Sequence, residues 1–356
     1  MNETLCGVSY AQPPKFRGLT EVVGTNREKA KRIALCFIAL LTGCATQQLT
    51  QVATPSEVYG KVPDPGLACK LLEASRCAYA IDETGSLKTG DVNYSTCTDG
   101  LREWKPIDDR HEHINAVLAE LTADSVIVAY RGTLPPHNDR DRKEVLKDWF
   151  QDMEAEQVTE GNIEGRMHDG FHRGFIQTWN SLLGVLQEWK EKGELESKKI
   201  YVTGHSKGGA MAIIASLHLY NQGFSPEAVY TFAAARAGNQ VFVKGYDVKG
   251  ITTWRYENRF DIVPHLPPNA TDRVLLASLL DKIPALRSDE YQSAGYLMFI
   301  DWDGHLRAYS TGLSDERIKR FYARLEEPGA AEVIIGAHSS NKDRQYYQAI
   351  CGQMSQ

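Results

Sequence analysis

Strand-like runs alternating with helix-like runs across residues 110–260, and a glycine-flanked serine at one strand-to-helix corner, predict an α/β fold: a mixed or parallel sheet with helices on its faces. The corner is the centre of the pattern. Lys198-Lys-Ile-Tyr-Val-Thr-Gly-His-Ser206 is a β-branched run, and Lys207-Gly-Gly-Ala-Met-Ala-Ile-Ile-Ala-Ser-Leu217 is a helix former. Gly204, Ser206 and Gly208 form Gly-x-Ser-x-Gly, a turn too sharp for a Cβ two residues to either side of the serine. Such a turn pushes the serine out of the sheet, next to the free N–H groups that open the following helix.

The other elements follow in order. Leu67–Ala80 repeats apolar residues at helical spacing, and the Asp-, Gly-, Ser- and Thr-rich residues 82–110 read as loop. Asn115–Leu121 and Ser125–Arg131 are apolar runs joined by Thr122-Ala-Asp-Ser125, which predicts a hairpin. Residues 134–160 are strongly polar, and a long helix is expected from about Phe171 to Lys190. Strands are expected at Ala228–Ala234, Ile251–Tyr256 and Gly295–Asp301, and a charged helix over 314–327.

A chain of 356 residues can bury a substantial core, and a net charge of −6 with acids and bases interleaved presents no basic face for nucleic acid. Near the start, Lys29, Lys31 and Arg32 precede the apolar run Ile33–Leu41, which closes on Leu41-Thr-Gly-Cys44. That run is too short to span a bilayer as a helix and reads as a secretory signal. Its last four residues resemble the lipobox of bacterial lipoproteins, with Cys44 as the lipidated residue. The expected organisation is therefore a leader over 1–44, a polar tether over 45–65 and one domain over 66–356. The destination is the bacterial envelope, with a lipid anchor in the outer membrane. Four cysteines remain in the domain. Cys69 and Cys77 lie eight helical positions apart, about 12 Å along the axis, too far to pair. Cys77 is left to Cys97 or Cys351, and Cys69 to the other.

A serine hydroxyl needs a base, and the base an orienting carboxylate. In hydrolases with this motif the acid and then the histidine follow the serine in the chain. His218 lies on the helix behind the serine and reads as structural. His265 is too close in sequence to Asp261 to share one imidazole with it, although it can line the pocket. His305 and His338 remain, with Asp261 at a strand end before a proline-rich turn as the acid and Asp301 or Asp303 as alternatives.

These residues resemble the class 3 lipases, a family of α/β-hydrolases. Val202-Thr-Gly-His-Ser-Lys-Gly-Gly209 looks like the family's nucleophile motif and Tyr130-Arg-Gly-Thr133 like its oxyanion strand. Asp148-Trp149 with Asp152 is similar to the segment that follows, and His168-Asp-Gly-Phe171 to the approach to the next helix. Asn258-x-x-Asp261-x-Val-Pro264 is similar to its acid motif. The resemblance implies a predominantly parallel sheet and Ser206 as nucleophile, with Asp261 as acid and the N–H groups of Thr133 and Lys207 as oxyanion hole. His305, with Asp303 before it and Tyr309 after, is the expected base, and His338 the runner-up. The implied activity is hydrolysis of lipid esters without cofactor or metal. The rivals are an esterase for short or aromatic esters and a catalytically silent lipid-binding lipoprotein. Lys207, where the family usually has leucine, and Arg140, Arg142, Lys143 and Lys147 in the lid region lead to an expected preference for phospholipid over triacylglycerol.

Overall fold

A computed structural model describes residues 55–82, 84–88, 90, 94–109, 115–134, 156–270, 272, 290–308, 317, 319–324 and 327–352. The chain runs through α1 (Pro55–Tyr59), α2 (Pro65–Cys77), β1 (Glu103–Asp108), β2 (Ala116–Leu121) and β3 (Ser125–Tyr130). Then come β4 (Gln157–Glu160), β5 (Ile163–His168), α3 (Asp169–Glu191), β6 (Lys199–His205), α4 (Lys207–Asn221) and β7 (Pro226–Phe232). The rest is β8 (Gly238–Asn239), α5 (Gln240–Asp247), β9 (Thr252–Asn258), β10 (Tyr291–Gln292), β11 (Tyr296–Ile300), β12 (Leu306–Ala308), α6 (Ala330–His338) and α7 (Gln345–Cys351).

The main sheet has the order β1-β2-β3-β6-β7-β9-β11-β12. Its inner pairs from β3 to β11 are parallel, and β1, β2 and β12 add antiparallel edges. The expected hairpin is present as β2 and β3, closed by hydrogen bonds between Thr122 and Ser125. Every residue of β3 is buried, as a strand covered on both faces requires. Val126, Val128 and Tyr130 pack with Phe175 and Leu182 of α3 and Ile214 of α4. Ile127 and Ala129 point the other way, into a second core with Leu71 and Leu72 of α2 and Tyr346 and Ile350 of α7. This is the α/β-hydrolase arrangement, a mostly parallel sheet between helical layers.

Local chemistry sets the helix starts. The Asp64 side chain accepts the N–H of Leu67 at 3.0 Å ahead of Pro65, and His168 Nδ1 accepts that of Phe171 at 3.3 Å to open α3. At the β6–α4 corner Ser206 has φ 60° and ψ −132°. A Cβ on Gly204 would lie 2.2 Å from the carbonyl oxygen of Gly208, and one on Gly208 would lie 2.2 Å from that of Tyr130. The motif glycines are thus required by backbone contact between strand and helix, as well as by the turn.

Three expectations need correction. Residues 82–110 are not all loop, because β1 pairs along its length with β2. Its charges and Pro106 suit an edge strand, where a missing N–H costs no ladder bond. A second sheet, β10-β8-β5-β4, includes the β4–β5 hairpin, which the polar composition up to residue 160 concealed. The expected tether ends in α1, where Tyr59 donates to the carbonyl of Leu297 at 2.8 Å and packs against Trp254 and Tyr296.

Cysteine pairing resolves to Cys69–Cys351 and Cys77–Cys97, with Cα atoms 5.0 and 5.5 Å apart. The expected leader with Cys44, the segment Arg140–Asp152 and Tyr309 lie outside the described residues. Of the expected helix over 314–327, residues 317 and 319–324 are described and helical. Among the described residues no helix is long and apolar enough to cross a membrane.

Candidate active site

Ser206 stands at the end of β6, and its strained backbone carries the hydroxyl off the sheet while its N–H bonds to Phe232 O at 2.9 Å. Two strands along the sheet, β9 ends at Asn258 and the chain turns through Asp261, which is fully buried. Asp261 Oδ1 accepts the N–H of Val263 at 3.0 Å, and Oδ2 accepts the Tyr346 hydroxyl at 2.8 Å. His338, the last residue of α6, bridges the two. Its Nε2 is 2.9 Å from Ser206 Oγ and its Nδ1 is 3.0 Å from each oxygen of Asp261.

The structure therefore brings Ser206 and Asp261 together with His338, and not with His305. His305 is exposed in the β11–β12 turn, where its N–H donates to Asp301 Oδ1 at 2.9 Å. The carboxylate of Asp301 also accepts the N–H of Asp303 at 2.9 Å and pairs with Arg307. Asp301 is thus a turn-closing group. β11 stands three strands from β6, a separation of roughly 14 Å at sheet spacing, which a five-residue turn does not cross. His265 does not line the pocket; it is buried against Asp272, 3.1 Å away, and stacks on Phe321.

A layer of residues that sequence reasoning left without a role holds His338 in place. Asn258 donates its side-chain N–H₂ to Ala337 O at 2.9 Å and to Gln345 Oε1 at 2.8 Å, and its backbone N–H to the Tyr346 hydroxyl at 2.8 Å. Tyr346 is therefore an acceptor from the backbone and a donor to Asp261. His205 Nε2 is 2.7 Å from the carbonyl of His338, and its Nδ1 is 2.9 Å from the Tyr79 hydroxyl. Burial, reinforced by nearby His338, pushes the His205 pKa down to about 3. The ring is neutral at ordinary pH, with Nε2–H donating to the carbonyl and Nδ1 accepting from Tyr79.

That assignment has a measurable consequence. An unfolded His205 titrates near its usual 6.5 and the folded one near 3. The neutral ring's contribution is complete above pH 6.5 and is lost as the pH falls towards about 3. At pH 5 the loss is on the order of 2 kcal/mol. His205→Gln should flatten the fall in urea midpoint between pH 7 and pH 5; an unchanged slope would show that the ring charges without penalty.

Ser206, His338, Thr133 and Lys207 line one cavity of about 230 Å³, with Tyr79, Phe171, Val263 and Ile335 on its walls. The expected oxyanion residues thus share a cavity with the serine, and the N–H of Lys207 belongs to the first turn of α4. The Lys207 ammonium donates to Asn115 Oδ1 at 2.9 Å. Arg76, also on the wall, lies 2.5 Å from Glu73 Oε2.

Fold and site together define an α/β-hydrolase with a Ser–His–Asp relay at a nucleophile elbow. Residues 127–271 match the family model "Lipase (class 3)". That segment includes Ser206 and Asp261 and ends before His338. A lipase of Rhizomucor miehei is 30% identical over 189 residues, 51% of this chain and 48% of the relative. A secreted mono- and diacylglycerol lipase of Fusarium solani is 29% identical over 145 residues, 40% of this chain and 39% of the relative. The chain thus spans about half, or less, of the length of these relatives. The solved Rhizomucor miehei lipase propeptide complex superposes with a TM-score of 0.53 at 22% identity, covering 72% of this chain and 73% of that one.

Proposed function

We propose that the protein hydrolyses carboxylic esters of lipids, with Ser206 as nucleophile, His338 as general base and Asp261 as the carboxylate that orients it. The observation that carries this reading is the unbroken hydrogen-bonded line from Ser206 Oγ through the His338 ring to Asp261. His338 Nε2 takes the hydroxyl proton as Oγ attacks the ester carbon, and Nδ1–H donates to Asp261 as the ring becomes cationic. The oxyanion accepts the N–H groups of Lys207 and Thr133, with the positive end of α4 beside it. His338 then protonates the departing alcohol, and water attacks the acyl-enzyme by the same route in reverse.

The expected preference for anionic headgroups loses the support of Lys207, which donates to Asn115, and its other four cations, Arg140, Arg142, Lys143 and Lys147, lie outside the described residues. Uncharged acylglycerols are the better first substrates, in keeping with the relatives described as lipases and mono- and diacylglycerol lipase. A cavity of about 230 Å³ also suits a short acyl chain, being smaller than the roughly 300–1,000 Å³ of pockets for drug-sized ligands. This favours a short-chain esterase as the second reading. A fluorophosphonate probe should label the wild-type protein at Ser206 and leave Ser206→Ala unlabelled. The wild type should release butyrate from tributyrin faster than fatty acid from phosphatidylcholine. A wild-type protein inert to the probe would end the hydrolase reading, and turnover of phosphatidylcholine alone would reverse the substrate order.

We further propose export and lipid anchoring through Cys44. Two disulfides among the four cysteines of the domain support an oxidising compartment. Cys44→Ser should move the protein from the membrane fraction to the soluble fraction; identical fractionation would rule the anchor out.

A further inference from the structure

A second cluster of chemically capable side chains lies apart from the cavity. Glu160 ends β4, His172 is in the first turn of α3 and His218 is in the last turn of α4. Their ligand atoms all lie within 4.8 Å of one another, and none of the three residues lines the Ser206 cavity. His172 Nε2 is hydrogen-bonded to Glu160 Oε2 at 2.9 Å. His218 Nε2 faces the same oxygen at 3.1 Å, is buried, and has no hydrogen-bond partner.

We propose that Glu160, His172 and His218 bind a divalent cation of the zinc class. Two imidazole nitrogens and one carboxylate oxygen are a donor set such ions prefer. Two ligands about 2.05 Å from a tetrahedral ion stand about 3.3 Å apart. The nitrogen-to-oxygen separations of 2.9 and 3.1 Å therefore need to open by only a few tenths of an ångström. Hydrogen bonding alone accounts for His172 but leaves His218 Nε2 facing a carboxylate without a bond, a cost that coordination removes. Phe175 and Trp179 fix the His218 ring, with centroids 4.5 and 5.6 Å from it. The side chains are 10% exposed at His218, 15% at His172 and 34% at Glu160, so an ion arrives past the carboxylate and water completes the coordination. Bound there, it joins the β4–β5 hairpin to both helices on that face of the main sheet. Among the described residues the other grouping of this kind, Asp301, Asp303 and His305, has its buried carboxylate already taken by two N–H groups and Arg307.

The full-length protein, stripped with chelator and dialysed, should bind one Co²⁺ with the visible absorption of a four-coordinate ion, and one Zn²⁺ by calorimetry. Zn²⁺ should raise the Tm of the wild type. Glu160→Gln and His172→Ala should each weaken Zn²⁺ binding by about 100-fold or more and abolish the Tm rise, since even outer-sphere partners of a metal carry 10–100-fold effects. Glu160 is partly exposed, so Glu160→Gln tests the site without emptying the core around His218. No bound ion in the wild type, or binding that survives in the Glu160→Gln/His172→Ala double variant, would overturn the assignment.

Discussion

Replacing His338 with alanine should lower kcat/KM for ester hydrolysis by about 10⁴-fold or more, while His305→Ala should stay within about twofold of wild type. The contrast follows from position. His338 Nε2 is 2.9 Å from the Ser206 hydroxyl and its ring is braced by Asp261, whereas His305 is exposed in a turn on the far side of β9. Without His338 the hydroxyl has no acceptor placed for its proton at the moment of attack. What survives is the share contributed by the oxyanion donors and substrate binding, roughly 10³–10⁴ over water in serine hydrolases studied this way. Ser206→Ala and the double variant should be no worse than His338→Ala, because the two groups act as one unit. The measurement is steady-state hydrolysis of p-nitrophenyl butyrate by the wild type and these four variants. Near-normal rates in His338→Ala with a collapse in His305→Ala would mean that the observed relay is not the working one.

The sequence shows one part of this site clearly and hides another, for a physical reason. Ser206 and Asp261 sit where strands end, and each is bound to a local signature: glycines that permit strand-to-helix contact at the first, and Asn258 and Pro264 around a tight turn at the second. Parallel neighbours place such strand ends side by side, so chain order almost suffices. The base has no comparable signature. It arrives on the last residue of a short helix, and what brings it to the sheet is a tail whose contacts are long-range: Asn258 to Ala337, Tyr346 to Asp261, Cys351 to Cys69. His305 had the better local pattern, an acid before it in a loop after a strand, but the same pattern closes a β-hairpin. One feature of the tail carried the missing signal: Cys351 demanded a partner in the domain core. The edge strand β1 and the β4–β5 hairpin were hidden for a related reason, since half-exposed strands carry charges and lose the apolar run that marked β3 and β6.

Breaking the Cys69–Cys351 disulfide should cost both stability and turnover, and more of the first than breaking Cys77–Cys97. The two bridges close loops with sequence separations of 282 and 20. Chain-entropy arguments assign about 5 kcal/mol to the longer loop and about 3 kcal/mol to the shorter. The larger functional effect has a structural route. Cys351 fixes the end of α7 to α2, and α7 presents the Tyr346 hydroxyl to Asp261 at 2.8 Å and Gln345 to Asn258 at 2.8 Å. Tyr347 adds a bond to Glu73 at 2.6 Å on the same helix pair. When the bridge is absent, α7 is held only by packing and these hydrogen bonds, and the donor that steadies the carboxylate behind His338 is freer to leave. A hydrogen bond to a charged group is worth about 1.5–3 kcal/mol, so its loss in the transition state corresponds to roughly a tenfold or larger fall in kcat. KM should change little, because α7 does not line the cavity. Cys69→Ser/Cys351→Ser and Cys77→Ser/Cys97→Ser proteins, compared by urea midpoint and by kcat on one soluble ester, separate the two contributions. If the first pair lost stability but kept its full kcat, packing and the remaining hydrogen bonds would suffice to hold Tyr346 against Asp261. Equal loss of stability in both pairs would show that loop length does not govern these bridges.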